Sequence, residues 1–353
     1  MAIEIEVNGV LRQYDLLFPT GGEYWFTQCA LQNPPRNGLP VVVALHGRGQ
    51  RPEVLQAQWD FLTVANTSQS FDDKFVVLVP YGLAIDDKAA WNSHPEFQFT
   101  DPNDLAFLTV MLDHAETLVK EFLVSRGVTL GTPALGFDPK RKHLFGYSSG
   151  ALMAFTWANS SVNTFASVVA LAGANGAKSW QGATEYRYPP NGVGSNVQMS
   201  LWLAVGGLDP TNPPGTDAAP GPVTNPDQFT VSTTNKLALE AAGVPAPGDT
   251  YAYSVRKAVW TVQDFLAQNR NAYPLFPNNY LAPKFPPATQ SGVLGTQTRT
   301  YRLWARAADV ANNPRVRFDY DTAMNHTNMV VDVVNRWMTA GDVWTFMKTA
   351  ALP

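Results

Sequence analysis

Apolar and polar positions alternate with a period of two at the start of the chain, over Ile3–Val7 and Leu11–Phe18, and Asn8-Gly9 lies between the two runs. That pattern predicts an antiparallel hairpin closed by a tight turn. Further along, the alternation gives way to unbroken apolar runs: Pro40–His46, Phe75–Pro80, Lys142–Gly146, Phe165–Leu171 and Met199–Val205. Runs of this kind suit strands buried on both faces of a parallel sheet. Thr300–Trp304 and Val316–Tyr320 are later strand candidates. Helical periodicity falls between the runs, at Pro52–Ala65, Asp104–Phe122, Ala151–Ala158, Val255–Gln268 and Asn328–Ala350. In the second of these, Leu105, Leu108, Leu112 and Leu118 share one side, and Asp101 or Asp104 is placed to cap the first turn. The alternation of strand and helix predicts the α/β class, a mostly parallel central sheet flanked by helices in a single domain over residues 1–353. Two stretches break the rhythm. Pro210–Gly248 is rich in Pro, Gly, Thr and Asn and reads as an insertion on the sheet rim, a lid or border; Asn271–Gly295 reads as a Pro-rich loop.

Composition narrows the picture. Hydrophobic residues make up 45% of the 353, enough for a large core, while only 15% are charged and the net charge is −4. A disordered chain, a collagen-like chain and a coiled coil are excluded. A nucleic-acid binder acting through a basic surface is not expected, because no excess of Lys and Arg exists to neutralise phosphates. Cys29 is the single cysteine, so neither an intramolecular disulfide nor a Cys-cluster metal site is available. Met1–Val7 reads as a strand and not as a basic start leading into an apolar stretch, so either the chain is not exported by that route or a leader has been removed. Low charge with many Trp, Pro and Asn leans toward an extracellular protein, and no apolar run approaches the roughly 18 residues of a membrane span.

The sharpest chemical feature is Gly146-Tyr147-Ser148-Ser149-Gly150, with an apolar strand before it and a helical stretch after it. A sharp strand-to-helix turn needs small neighbours and holds the central hydroxyl above the sheet edge, which makes Ser148 the candidate nucleophile. A serine hydroxyl needs a base, and the base needs an orienting acid. Of the five histidines only His326 follows Ser148 in the chain, on a loop after Val316–Tyr320, and it is the candidate base. Asp209, after Leu201–Val205 and a Gly-Gly turn, is the candidate acid. Asp217, Asp227, Asp249, Asp264, Asp319 and Asp321 read as solvated or structural. Backbone amides should receive the developing oxyanion: that of Ser149, next to the nucleophile, and that of Arg48 in Leu45-His46-Gly47-Arg48-Gly49. The Arg48 side chain is either solvated or set against an anionic part of the substrate. His46 reads as a packed structural residue. Trp91 either lines a substrate groove or packs in the core, and Tyr147 either flanks the pocket or points into the sheet. His94, His114 and His143 lack metal-ligand spacing, so no catalytic metal is expected.

These residues resemble a known family. Leu45-His-Gly-Arg-Gly-Gln50, Val79-Pro-Tyr81, the Trp91 loop, Asn103-Asp-Leu-Ala-Phe-Leu108 and Asp138–Met153 resemble the polyhydroxybutyrate depolymerase and feruloyl esterase group of α/β-hydrolases, and Gly206–Asp209 and Met324–His326 fit that group's acid and base motifs. The chain departs from the group at Arg48, where cysteine is frequent, in lacking disulfides and in the length of the 210–248 insertion. The resemblance implies the α/β-hydrolase fold and an esterase that forms an acyl-enzyme on Ser148, with His326 as base, Asp209 orienting it and no cofactor. The implied partner is an ester substrate: a polymer such as polyhydroxybutyrate, or a feruloyl or acetyl ester. Two alternatives stand beside it: a non-catalytic binding protein on the same fold, and a peptidase or acyltransferase with the same triad.

Overall fold

The computed structural model describes residues 2–31, 38–67, 70, 73–85, 88–92, 104–127, 136–160, 164–173, 199–206, 262, 265, 290–294, 299–304, 315–321 and 338–352. β1 (Ala2–Val7) and β2 (Val10–Leu17) form the expected hairpin, with Val7 opposite Val10. Asn8 and Gly9 both take positive φ, 52° and 80°, as a two-residue turn matched to strand twist requires. β3 (Leu39–Leu45), β4 (Val76–Pro80), β7 (Phe137–Tyr147), β8 (Ser167–Leu171), β9 (Ser200–Gly206) and β12 (Val316–Asp321) follow the apolar runs of the sequence. Within this set, neighbouring strands pair in parallel. The described sheet has ten strands in the order β1-β2-β4-β3-β7-β8-β9-β12-β11-β10, where β10 is Gln290–Leu294 and β11 is Arg299–Trp304. Antiparallel pairs sit at both ends.

The unbroken apolar runs are explained by two cores. Val41, Val43 and Leu45 of β3, with Val76, Leu78, Leu144 and Val168, pack on one face; Val42 and Ala44, with Val77, Val79, Phe145 and Val169, pack on the other. Successive side chains point to opposite faces, so a strand covered on both sides must be apolar throughout. The first face is covered by α1 (Gly22–Leu31), α4 (Asp104–Ser125) and α5 (Ser149–Ser160), through Phe26, Phe107, Leu108, Met111, Phe155 and Trp157. The second is covered by α2 (Pro52–Trp59), α3 (Phe61–Thr67) and α6 (Ala340–Met347), through Leu55, Trp59, Phe61, Val343 and Trp344. The mostly parallel sheet flanked by helices is therefore present.

Several boundaries differ from the sequence reading. Pro52–Ala65 is two helices, because Asp60 adopts φ 26° and its carboxylate accepts the Thr63 amide at 3.1 Å, starting a new helix there. The last helix starts at Ala340, behind a reciprocal cap in which the Thr339 hydroxyl accepts the Asp342 amide and the Asp342 carboxylate accepts the Thr339 amide. Gln290–Leu294, placed by sequence in the second Pro-rich loop, is a strand paired with β11. A small hairpin, β5 (Leu83–Ile85) with β6 (Lys88–Ala90), lies where the sequence suggested only a loop. The 210–248 insertion and Val255–Gln268, apart from Val262 and Phe265, lie outside the described residues. Among the described residues no helix is long and apolar enough to cross a membrane.

Candidate active site

Ser148 sits between β7 and α5 with φ 53°, the left-handed region that a residue with a Cβ rarely occupies. Holding it there costs about 1–3 kcal/mol, which the surrounding structure must supply. The supports are visible. The Ser148 amide donates to the Leu171 carbonyl at 2.9 Å, extending the β7–β8 ladder by one bond, while the Ser148 carbonyl accepts from the amides of Ala151 and Leu152 at 2.9 and 3.2 Å and opens α5. The chain thus turns from strand to helix within one residue. The flanking glycines have no room for a side chain: a Cβ on Gly146 would lie 2.4 Å from the Gly150 carbonyl oxygen, and one on Gly150 would lie 2.2 Å from the Leu45 carbonyl oxygen. The second contact also shows that the elbow is packed directly on the end of β3. Ser148 is partly exposed, whereas Ser149, the first residue of α5, is buried. A helix N-terminus carries unsatisfied amides and the positive end of the helix dipole, so the Ser149 amide stands where an oxyanion would be favoured.

The turn after β3 is braced at nearly every atom. The Gly47 amide donates to Oε1 of Gln50 at 2.9 Å, the Gln50 amide returns to the Gly47 carbonyl at 3.1 Å, and Nε2 of Gln50 donates to Gln58 at 3.1 Å. The Gly49 amide donates to the Ala89 carbonyl of β6 at 2.7 Å, with Gly49 at φ 76°. Arg48 lies between these two anchored glycines with its side chain exposed. Gly47 is pressed on the Tyr147 ring, where a Cβ would come within 2.8 Å. Tyr147 is therefore a buried ring beneath the turn after β3.

His46 is fully buried. Nε2 accepts the Gly82 amide at 2.9 Å, which leaves the proton on Nδ1 to be donated to the Gly47 carbonyl at 2.9 Å. Burial pushes its pKa down from 6.5 to about 4, so the ring is neutral and structural at neutral pH. Trp91 is also fully buried; its indole N–H donates to the His46 carbonyl at 2.8 Å, and the two rings lie 5.0 Å apart. Of the two positions considered for Trp91, the structure has the packed one, because a side chain enclosed in the core has no surface to offer a groove. His143 of β7 is fully buried, its ring bonded to the hydroxyl of Ser167 on β8 at 2.9 Å, and burial lowers its pKa to about 3.

The described parts of β9 and β12 end in register, Gly206 beside Asp321, at the edge where β7 ends in Tyr147 and β8 in Leu171. Asp209 follows Gly206 by three positions and His326 follows Asp321 by five; both lie outside the described residues. Among the described residues no group of three or more His, Cys, Asp or Glu is arranged to hold a metal. A cavity of about 70 Å³ lies elsewhere, between α2–α3 and the sheet, lined by Leu55, Phe61, Val77 and Val79.

Two features of this region were not read from the sequence. One is the β5–β6 hairpin, where Gly82 is confined because a Cβ would lie 2.4 Å from the Ala90 carbonyl oxygen. The other is the pair of Arg12 and Asp104, both buried, joined at 2.6 Å. The available signal was Arg12 itself, a charge at an inward-facing position of β2 beside Tyr14.

No protein-family model matches the chain, and no curated protein matches its sequence. Solved structures do. An acetyl xylan esterase from Aspergillus awamori superposes with TM-score 0.51 at 11% identity, over 99% of this chain and 100% of that one. A thermostable esterase matches with TM-score 0.36 and 19% identity over 60% of this chain, which spans 48% of that enzyme's length. A ferulic acid esterase matches with TM-score 0.33 and 16% identity, over 49% of this chain and 58% of that one. The full-length match, with the sheet order above, gives the chain the α/β-hydrolase fold.

Proposed function

We propose that this protein is a serine esterase that hydrolyses carboxylic esters through an acyl-enzyme on Ser148. The observation that carries the reading is the left-handed Ser148 at the β7–α5 turn, locked between two glycines that admit no side chain. A fold has no need of such a residue in a sharp turn that glycine would fill at less cost, and stored backbone strain points to function when it is observed first. The braced turn beside it, with the Arg48 amide, and the Ser149 amide at the helix start supply a second reason.

In the proposed cycle Ser148 Oγ attacks the ester carbonyl carbon while His326 takes its proton. The oxyanion is received by the amides of Arg48 and Ser149. His326 then returns the proton to the leaving alcohol as the ester C–O bond breaks. Water, deprotonated by His326, attacks the acyl-enzyme; the Oγ–acyl bond breaks, the acid leaves and His326 returns the proton to Ser148 Oγ. Asp209 orients His326 throughout. Buried and neutral, His46 takes no part in proton transfer. The substrates to which the resemblance points are polyesters such as polyhydroxybutyrate and feruloyl or acetyl esters of larger alcohols.

Release of p-nitrophenol from acetate and butyrate esters tests the reading. Ser148→Ala, with its circular dichroism unchanged, should lose about 10³-fold or more in kcat/KM. Equal turnover by both proteins, or amide turnover rivalling ester turnover, would sink it.

A further inference from the structure

A buried ion pair is seldom the cheapest way to hold two elements together, since apolar side chains of similar volume serve as well. Arg12 of β2 and Asp104 of α4 form such a pair, with side chains 1% and 3% exposed. The Arg12 guanidinium also stacks 4.0 Å from the Phe107 ring centre and leans toward the Tyr81 carbonyl at 3.4 Å. Only one oxygen of Asp104 meets Arg12. The other, Oδ2, accepts the backbone amide of Asn92 at 2.6 Å. A charge-assisted bond this short fixes the chain directly after β6. That chain touches the oxyanion turn twice, through Trp91 Nε1 to the His46 carbonyl and through the Ala89 carbonyl to the Gly49 amide.

We propose that the Arg12–Asp104 pair is a positioning element for the reaction: by gripping the Asn92 amide it holds the β5–β6 hairpin against Gly47–Gln50 and so sets where the Arg48 amide points. Arg12 holds the carboxylate in place, Asp104 holds Asn92, and Trp91 and Ala89 pass the constraint to the turn. Neither charge meets the substrate. The inference rests on the esterase reading. It adds that the acceptor at position 104, and not the charge as such, is what the turn depends on.

The test compares two double variants in the full chain, so that neither charge is left buried alone. Arg12→Met with Asp104→Leu removes the acceptor; Arg12→Met with Asp104→Asn keeps a carbonyl oxygen for the Asn92 amide. The probes are p-nitrophenyl butyrate and an alkyl trifluoromethyl ketone, whose serine adduct places an oxyanion where the transition state does. The Leu variant should lose about 10- to 100-fold in kcat with KM within about twofold, and its affinity for the ketone should fall in parallel with kcat. The Asn variant should recover to within about threefold of the parent. Trp91→Phe, which keeps a ring but drops the bond to His46, should show a smaller loss of the same kind and serves where the Leu variant does not fold. Parent-like kcat in the Leu variant, no recovery in the Asn variant, parent-like kcat in Trp91→Phe, or a fall in kcat with unchanged ketone affinity would each overturn the proposal. The parent and Ser148→Ala, assayed alongside, separate this failure from failure of the esterase reading: if Ser148→Ala is as active as the parent, the reading itself is wrong, whatever the double variants do.

Discussion

The Gly82 amide donates to Nε2 of His46 across 2.9 Å, so the histidine next to the Gly47–Gln50 turn is held as an acceptor on that nitrogen and cannot be protonated there without losing the bond.

A pH dependence of stability follows. Burial lowers the pKa of His46 to about 4 and of His143 to about 3, against 6.5 for an exposed ring. The unfolded chain therefore binds more protons than the folded one between pH 6.5 and about 4, and stability must fall as pH drops through that window. Each histidine contributes a slope of up to about 1.4 kcal/mol per pH unit, which levels off below its folded-state pKa. Urea unfolding at pH 7, 6 and 5 should show the decline, and His143→Asn should roughly halve the part due to these two rings. A stability independent of pH between 7 and 5 would show that both rings are already solvated in the native protein.

The strain at Ser148 makes a second expectation, opposite in sign to the usual one. Serine to glycine in ordinary extended or helical backbone destabilises by roughly 0.5–1 kcal/mol, through the freedom glycine gains when unfolded. At φ 53° the relief of strain offsets that loss. Ser148→Gly should therefore melt at or above the parent temperature, by up to about 1 kcal/mol in stability, while losing the proposed esterase activity. A clear drop in melting temperature would mean that Ser148 is not strained in solution.

How far the sequence could be read depended on how local the determinants were. The β1–β2 hairpin was legible because Asn8-Gly9 specifies its own turn, and the central strands because burial on both faces writes itself as an unbroken apolar run. The Gly146–Gly150 elbow and the turn after β3 were legible for the same reason: each has its glycines within a few residues. α1 was not, since Phe26 is its only fully buried side chain among those described and half its surface is solvated. β5 and β6 have three residues each, too few for any periodicity to declare itself. The anchors of the turn after β3 escaped because they are distant in sequence: Asp104 meets Arg12 from 92 positions away, and Trp91 meets His46 from 45. The acid and base assigned to Asp209 and His326 rest on chain order and on the strand ends that precede them.

Asp60 offers a check on the split between α2 and α3. It carries two roles at once, a left-handed backbone and a carboxylate that accepts the Thr63 amide. Asp60→Gly removes the cap but suits the backbone, and should cost a few tenths of a kcal/mol; Asp60→Ala removes the cap and keeps the strain, and should cost about 1–2 kcal/mol. Chemical denaturation of the two variants measures the difference. If alanine is tolerated as well as glycine, the break at this position does not need a left-handed residue.

Gln50 provides the most direct probe of the turn proposed to receive the oxyanion, and leaves the turn's backbone contacts elsewhere intact. Its Oε1 accepts the Gly47 amide and its Nε2 donates to Gln58. Gln50→Glu keeps an acceptor for Gly47 and adds a negative charge one residue beyond the pair Arg48–Gly49. Stability should change by less than about 1 kcal/mol, since the exchange preserves shape and the partner amide of Gln58 can rotate to donate. Turnover should fall, because a fixed anion beside the site opposes the charge that develops on the carbonyl oxygen. The fall should also depend on pH in a characteristic way. A glutamate is neutral only below its pKa of about 4.3, so the variant's kcat relative to the parent should stay low from neutral pH down to about 5 and begin to recover only as pH approaches that value. Gln50→Ala carries no charge and should show a loss that does not vary with pH. A Gln50→Glu enzyme with parent-like kcat at pH 7 would place the oxyanion away from this turn, and the Arg48 amide would no longer be a candidate donor.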